Sequence, residues 1–302
     1  MKKRLCAGAL LAAFTVFLCL QPAAVAQKDM PAGTVDTARA RPSSVQSGYM
    51  RCDFYDEALF LENIRTAPAY PDLADVTGAT VPHYAPMMSL TAGVLSAVSA
   101  QRTVETVVIL APNHSGEGAA VQLSGDGFYW ESGSIAGSPD ARLFSANSAL
   151  RAAVTNTHIA ADHSAATLAP YIAHYLPEAQ LVTLLLSSAA SDIQLTAIAD
   201  TLTALAAEKD ILVLCSIDFS HYQTPQRAEH NDRQTRDAVS SGREALLRSF
   251  DGAYLDCPEA LVTLMRFAAR RDAVLNETDY RLVTYAEQGL PAAASYFIYT
   301  VC

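Results

Sequence analysis

Short, unbroken apolar runs alternate along this chain with longer stretches in which apolar and polar residues mix at helical spacing. Runs of the first kind read as buried strands, and stretches of the second kind as helices packed on a sheet. The pattern predicts strands over 76–82, 106–111, 180–186, 211–217, 280–285 and 294–301. It predicts helices over 90–100, 163–175, 192–207, 227–250 and 258–269. Gly242 is a candidate break in the fourth of these helices. Pro258 opens the last at a first-turn position, where its missing N–H is no loss. The Gly- and Ser-rich stretch 125–140 reads as turns with a hairpin. Alternating strands and helices without an internal repeat predict a three-layer α/β/α domain around a central mixed sheet.

The N-terminus breaks this pattern. Lys2, Lys3 and Arg4 precede an apolar stretch from Leu5 to Leu20, and Ala24-Val25-Ala26 is a small-residue cleavage site. Residues 1–26 are therefore expected to be a secretory signal peptide. Residues 27–48 are polar, with Pro and small residues, and read as a flexible linker. Residues 49–302 are then expected to be a single α/β domain, and its composition, 51% hydrophobic and 17% charged over the 302-residue chain, suits one sizeable core. No later apolar stretch has the ~20 residues needed to span a bilayer. The expectation is an exported protein, periplasmic or extracellular, with no stable membrane insertion once the signal is cut.

Charge narrows the partners. The whole chain carries 21 Lys+Arg against 31 Asp+Glu, and cleavage after Ala26 would leave 18 against 31. Such an acidic surface argues against nucleic acid. Cleavage would also leave Cys52, Cys215, Cys257 and Cys302. Cys215, inside a predicted strand, reads as an inert core thiol. Cys52 and Cys302, near the ends of the processed chain, are candidates for a bridge.

Three histidines stand just past apolar runs: Thr80-Val81-Pro82-His83, Val107 to His114, and Ile211 to His221. In open α/β sheets, ligands bind beyond the carboxyl ends of the strands. Three strand ends delivering imidazoles would build one site from distant parts of the chain. Asp218, in Asp218-Phe219-Ser220-His221, can ligate a metal, orient an imidazole or act as a base. The alternative is a plain turn with Asp218 capping a helix. His163, in Asp162-His163-Ser164, opens a predicted helix, where backbone N–H groups point at ligands. Cys257 also precedes a helix start, a place that favours thiolate and so a nucleophile or a soft metal ligand. The alternative there is a disulfide half or a buried small hydrophobe.

The segments V-P-H, A-P-N-H-S-G, D-H-S-A-A-T-L-A-P-Y, D-F-S-H-Y and a late D-C, in this order, resemble the Memo-like family, whose bacterial members are called AmmeMemoRadiSam system protein B. The resemblance covers roughly residues 75–300. It implies a fold similar to class III extradiol dioxygenases, which are non-haem iron enzymes, and therefore a metal pocket. By motif it makes His83, His114 and Cys257 the metal ligands. Asp218 and His221 become a neighbouring acid and histidine, and His163 the histidine of the family's E-H-S segment, with Asp162 in place of Glu. The chain departs at Tyr84-Ala85-Pro86, where many relatives read A-G-Y, at Pro258, where the family has Gly, and at Ala166, where an acid is common.

Two imidazoles with a thiolate or carboxylate and open positions suit redox-active iron or copper, with zinc as the other choice. The first reading is an exported metal-binding protein with a non-haem dioxygenase-like site, acting as an oxidoreductase on a small molecule. The alternatives are a zinc-type hydrolase, in which Asp218 or His221 serves as base, and a non-catalytic metal or redox sensor. Partners in an AmmeMemoRadiSam-type system are implied by the resemblance alone.

Overall fold

The computed structural model describes residues 47–70, 73, 75–287 and 290–302. The expected signal segment, and all but the last two residues of the expected linker, lie outside the described residues. The chain opens with β1 (Tyr49–Arg51), α1 (Glu57–Arg65), β2 (Gly78–Val81), α2 (Met88–Ser99) and β3 (Thr106–Pro112). It continues through β4 (Val121–Ser124), β5 (Gly127–Trp130), β6 (Gly133–Ile135), α3 (Ala141–Ala146) and β7 (Ala153–Val154). Three short helices follow, α4 (Thr157–Ala161), α5 (His163–Ala166) and α6 (Ala169–Tyr175), then β8 (Gln180–Leu186), α7 (Asp192–Glu208) and β9 (Ile211–Ser216). The last elements are α8 (Pro225–Ser240), α9 (Glu244–Leu247), α10 (Pro258–Ala269) and the hairpin β10 (Leu275–Glu287) and β11 (Leu290–Val301).

The main sheet has eight strands in the order β10-β11-β2-β9-β3-β8-β4-β7. Its centre, β2, β9, β3 and β8, is parallel, while β11 pairs antiparallel with β2 and β4 antiparallel with β8. The expected mixed sheet is therefore present. β1, β5 and β6 form a separate three-stranded sheet.

Alternation along the central strands divides the core into two layers. Val107, Ile109 and Ala111 of β3 join Leu212 and Leu214 of β9 on one face, against Val94, Leu95 and Val98 of α2 and Ile172 of α6. Val108 and Leu110, with Val213 and Cys215, face the other way, against Ile198 and Leu202 of α7 and Leu261, Leu264 and Phe267 of α10. Helices cover both faces, which is why these strands read as unbroken apolar runs.

The helix ends follow from local chemistry. α7 opens with a capping box: Ser191 Oγ accepts from the Gln194 N–H (3.3 Å), and Gln194 Oε1 from the Ser191 N–H (2.9 Å). α8 stops at Gly242, which takes φ +64°. There the N–H groups of Gly242 and Arg243 donate back to Val239 O (3.1 Å) and Ala238 O (2.9 Å). The helix expected over 163–175 is instead two pieces. Pro170 has no N–H to give the Ala166 carbonyl, so the chain breaks and restarts with Pro170 in its new first turn. No described helix is long and apolar enough to cross a membrane.

Candidate metal centre

The carboxyl ends of β2, β3 and β9 lie side by side, since these strands pair in parallel in the order β2-β9-β3. His83 follows β2 by two residues, His114 follows β3 by two, and Asp218 follows β9 by two. His163 is the first residue of α5. Ligand atoms of His83, His114 and His163 lie within 4.8 Å of one another, and so do those of His83, Asp218 and Asp256. One site with His83 at its centre thus gathers residues from five distant parts of the chain.

Each central imidazole is held by one nitrogen. Ser216 Oγ donates to Ser164 O (2.6 Å), which uses its only proton, so it accepts from His83 Nδ1 at 3.0 Å. His114 Nδ1 meets Asp162 Oδ1 at 2.9 Å, and the His114 backbone N–H donates to Asp162 Oδ2 at 2.9 Å. A carboxylate only accepts, so His114 Nδ1 carries the proton. Both rings therefore turn Nε2 to the site. Those atoms stand 3.1 Å (His83) and 3.9 Å (His114) from the same oxygen, Asp256 Oδ2. Imidazoles that donate one N–H to an oxygen partner and leave the other nitrogen free have the arrangement of metal-bound histidines.

The acidic residues differ in their surroundings. Asp162 also caps α5, accepting from Ser164 N (3.0 Å) and Ser164 Oγ (2.7 Å). Burial alone would raise its pKa, but the bonds from His114 and Ser164 hold it well below the usual carboxylate range. Asp218 is pushed up by burial, with Asp256 adding to the rise and His83 opposing it. Its Oδ1 accepts the His83 N–H at 3.1 Å, and its Oδ2 stands 3.7 Å from His83 Nε2. His83 is almost wholly buried, which would lower its pKa, yet the charges of Asp218 and Asp256 raise it to about 9. His163 stays 44% exposed, stacks on His114 with ring centroids 4.5 Å apart, and is pushed down by burial and by His83 and His114.

Asp256 is the residue that sequence reasoning missed. Phe219 bridges Leu255 antiparallel, the Asp256 N–H donates to Asp218 O (3.1 Å), and the Asp218 N–H donates to Asp256 Oδ2 (3.3 Å). This short zipper sets the two acids side by side. Neighbours in an extended segment point in opposite directions, so of Asp256 and Cys257 only one can face the strand ends. Cys257 faces the core, 1% exposed, in the same apolar cluster as Cys215, Ala260 and Leu261. It joins neither ligand group, and burial raises its pKa well above the ordinary value instead of lowering it. The sequence argument relied on the helix start to favour thiolate, but the desolvation of a wholly buried sulfur outweighs it.

His221 lies in the same turn as Asp218 and is near enough to lower the Asp218 pKa. Its Nδ1 donates to Phe219 O at 2.7 Å, which leaves Nε2 free. The turn is anchored from behind, where buried Asp232 Oδ1 accepts from Ser220 Oγ and Ser295 Oγ, both at 2.7 Å. All four described cysteines are free thiols. The pairing envisaged for Cys52 and Cys302 is absent, since Cys52 is buried with its thiol donating to Ala166 O (3.2 Å) while Cys302 is exposed.

The site passes a test of fit for a metal. Asp256 Oδ1 is buried and has no hydrogen-bond partner. Buried polar atoms are rarely left so, and the carboxylate that carries this atom turns its other oxygen, Oδ2, to both Nε2 atoms, where a cation would offset its charge. Imidazole and carboxylate donors gathered in this way could hold a metal ion.

No curated protein matches the chain. A crystal structure of an uncharacterized protein from Escherichia coli K12 aligns with 73% of this chain and 99% of its own, at 13% identity and a TM-score of 0.47. Residues 57–252 match the sequence family described as "Memo-like protein", a span that takes in His83, His114, His163, Asp218 and His221 and stops just short of Asp256. With well over half of its length matched, and with its three-layer fold, the chain belongs to the Memo-like family.

Proposed function

We propose that this protein is a metal-dependent oxidoreductase acting on a small molecule, with a non-haem metal held between the strand ends by Nε2 of His83 and His114 and by an acidic side chain. The observation that carries the reading is the pair of imidazoles pinned through Nδ1, with both Nε2 atoms turned to one carboxylate oxygen. Iron is favoured over copper and zinc, because two imidazoles with a carboxylate suit ferrous iron and leave positions open. When bound, such a metal supplies one-electron chemistry and a Lewis-acid site.

The chain's own groups do the rest. Asp218, whose pKa burial raises, can hold a proton at its carboxyl and return it. His221 offers a free Nε2 beside it as a second proton carrier. His163, its pKa lowered by burial and by His83 and His114, is partly exposed and would meet an entering molecule at the site. A hydrolytic reading draws on the same Asp218, as base toward water. Dioxygen uptake separates the two. Iron-loaded wild type should consume dioxygen while an added electron donor is oxidised, and the His83→Ala/His114→Ala variant should do neither. Retention of zinc alone, with ester hydrolysis and no dioxygen uptake, would decide for the hydrolase.

The reading extends to export, supported by Lys2 to Arg4, the apolar stretch to Leu20 and Ala24-Val25-Ala26. Outside the cytosol the protein would meet its metal and substrate in an oxidising medium, where a site built from imidazoles and carboxylates has no thiolate to lose.

A further inference from the structure

We infer that Asp256, and not Cys257 or Asp218, supplies the third protein ligand beside His83 and His114. This rests on the metal-centre reading above and deepens it, since the third donor decides which metal the centre selects.

Three observations carry the assignment. Asp256 Oδ2 is 3.1 Å from His83 Nε2 and 3.9 Å from His114 Nε2, so one carboxylate oxygen closes on both Nε2 atoms. Asp218 approaches the His83 ring alone, at 3.7 Å, and its other oxygen is taken by the His83 N–H. Asp256 is only 9% exposed, and its Oδ1 is buried without a partner. A carboxylate so enclosed needs a cation or donors at both oxygens.

The adjacent thiol turns the other way. Cys257 is the residue before α10 and is buried at 1% exposure among core side chains, with Cys215 Sγ donating to Ala260 O (3.4 Å) in the same layer. The pairing of Phe219 with Leu255, and of the Asp256 N–H with Asp218 O, fixes which of the two successive side chains turns inward. Moving Cys257 Sγ to the imidazoles would reverse that register and bury Asp256 in the core.

The chain thus presents two imidazoles and a carboxylate, where the motif comparison led us to expect two imidazoles and a thiolate. A carboxylate is a hard donor, and the exchange moves selectivity away from cuprous copper toward ferrous iron or manganese. Asp218, left out of the ligand set, keeps its carboxyl free for protons.

The test uses the full folded chain, stripped of metal and titrated with Fe(II), and separately with Cu(II) as a spectroscopic probe. Wild type and Cys257→Ala should bind equally tightly, and neither Cu(II) form should show an intense sulfur-to-copper absorption band. Asp256→Asn should lose affinity by more than the about 10–100-fold expected for losing an outer partner. Asp256→Cys should gain the sulfur-to-copper band. A band in wild type that vanishes in Cys257→Ala would overturn the assignment, as would wild-type affinity in Asp256→Asn. Should Asp256→Asn misfold, the Asp256→Cys spectrum decides, since a folded, copper-loaded Asp256→Cys protein without the sulfur-to-copper band would overturn the assignment. Metal content unchanged in His83→Ala/His114→Ala would instead overturn the metal-centre reading itself.

Discussion

The hydroxyl of Ser216 has one proton, and Ser164 O takes it. That bond forces Ser216 to accept from His83 Nδ1 and so presents Nε2 to the site. Ser216→Ala should therefore weaken metal binding by about 10–100-fold while the far-UV circular dichroism stays native. A competition titration against a calibrated chelator would show it. Asp162 plays the same part for His114 and also caps α5, so Asp162→Ala should weaken metal binding and lower stability together, the lost cap alone costing about 1 kcal/mol. The charge on His83 adds a pH dependence. Its folded pKa of about 9 lies above the unfolded value, so in metal-free protein its pairing with Asp218 and Asp256 stabilises fully below about pH 6.5 and is lost as pH rises through about 9. Metal must displace that proton, so metal affinity should rise by about tenfold per pH unit up to about pH 9. Titration by calorimetry in buffers of different ionisation enthalpy would count the proton. A pH-independent affinity between 7 and 9 would contradict the assignment of His83 as a ligand.

At the scale of elements, what the sequence showed clearly was whatever a single strand or helix determines for itself. The unbroken apolar runs of β3, β8 and β9 and the Pro-opened α10 lie where their patterns put them, because burial on both faces and a first-turn proline are written in adjacent residues. His83, His114 and His163 could be singled out for the same reason, as each sits at an element's end. Other features were not legible. α1 escaped notice, and the hairpin strands run well past the predicted 280–285 and 294–301, because cross-strand pairing over a register from Leu275 with Val301 is a tertiary matter. The division of 163–175 at Pro170 depended on a single missing N–H. The choice between Asp256 and Cys257 depended on a two-residue pairing with Asp218 and Phe219, residues distant in the chain. One element-level prediction follows from the end of α8. Gly242 holds φ +64° with no atom near its would-be Cβ, so Gly242→Ala should cost about 1 kcal/mol through backbone strain alone, read from urea unfolding.

The whole molecule places its chemistry at one end of a sheet that helices cover on both faces, so that distant residues converge without any one segment carrying a complete motif. Export belongs to this scale too. Mass spectrometry of the released protein should find Gln27 at the N-terminus, and an intact Met1 on membrane-bound protein would show an uncleaved anchor. Metal should stabilise the folded domain by mass action, about 2.7 kcal/mol at a free concentration one hundred times the Kd, visible as a rise in Tm that the chelated protein lacks. The reading that unites these observations is that the strand-end imidazoles hold a metal. The most direct measurement is elemental analysis of purified wild type beside the His83→Ala/His114→Ala variant, both checked as folded. About one metal ion per chain is expected in the first, iron foremost, and none above background in the second. Equal metal content in the two proteins, or a wild type that stays metal-free after loading with ferrous iron, copper or zinc, would contradict it.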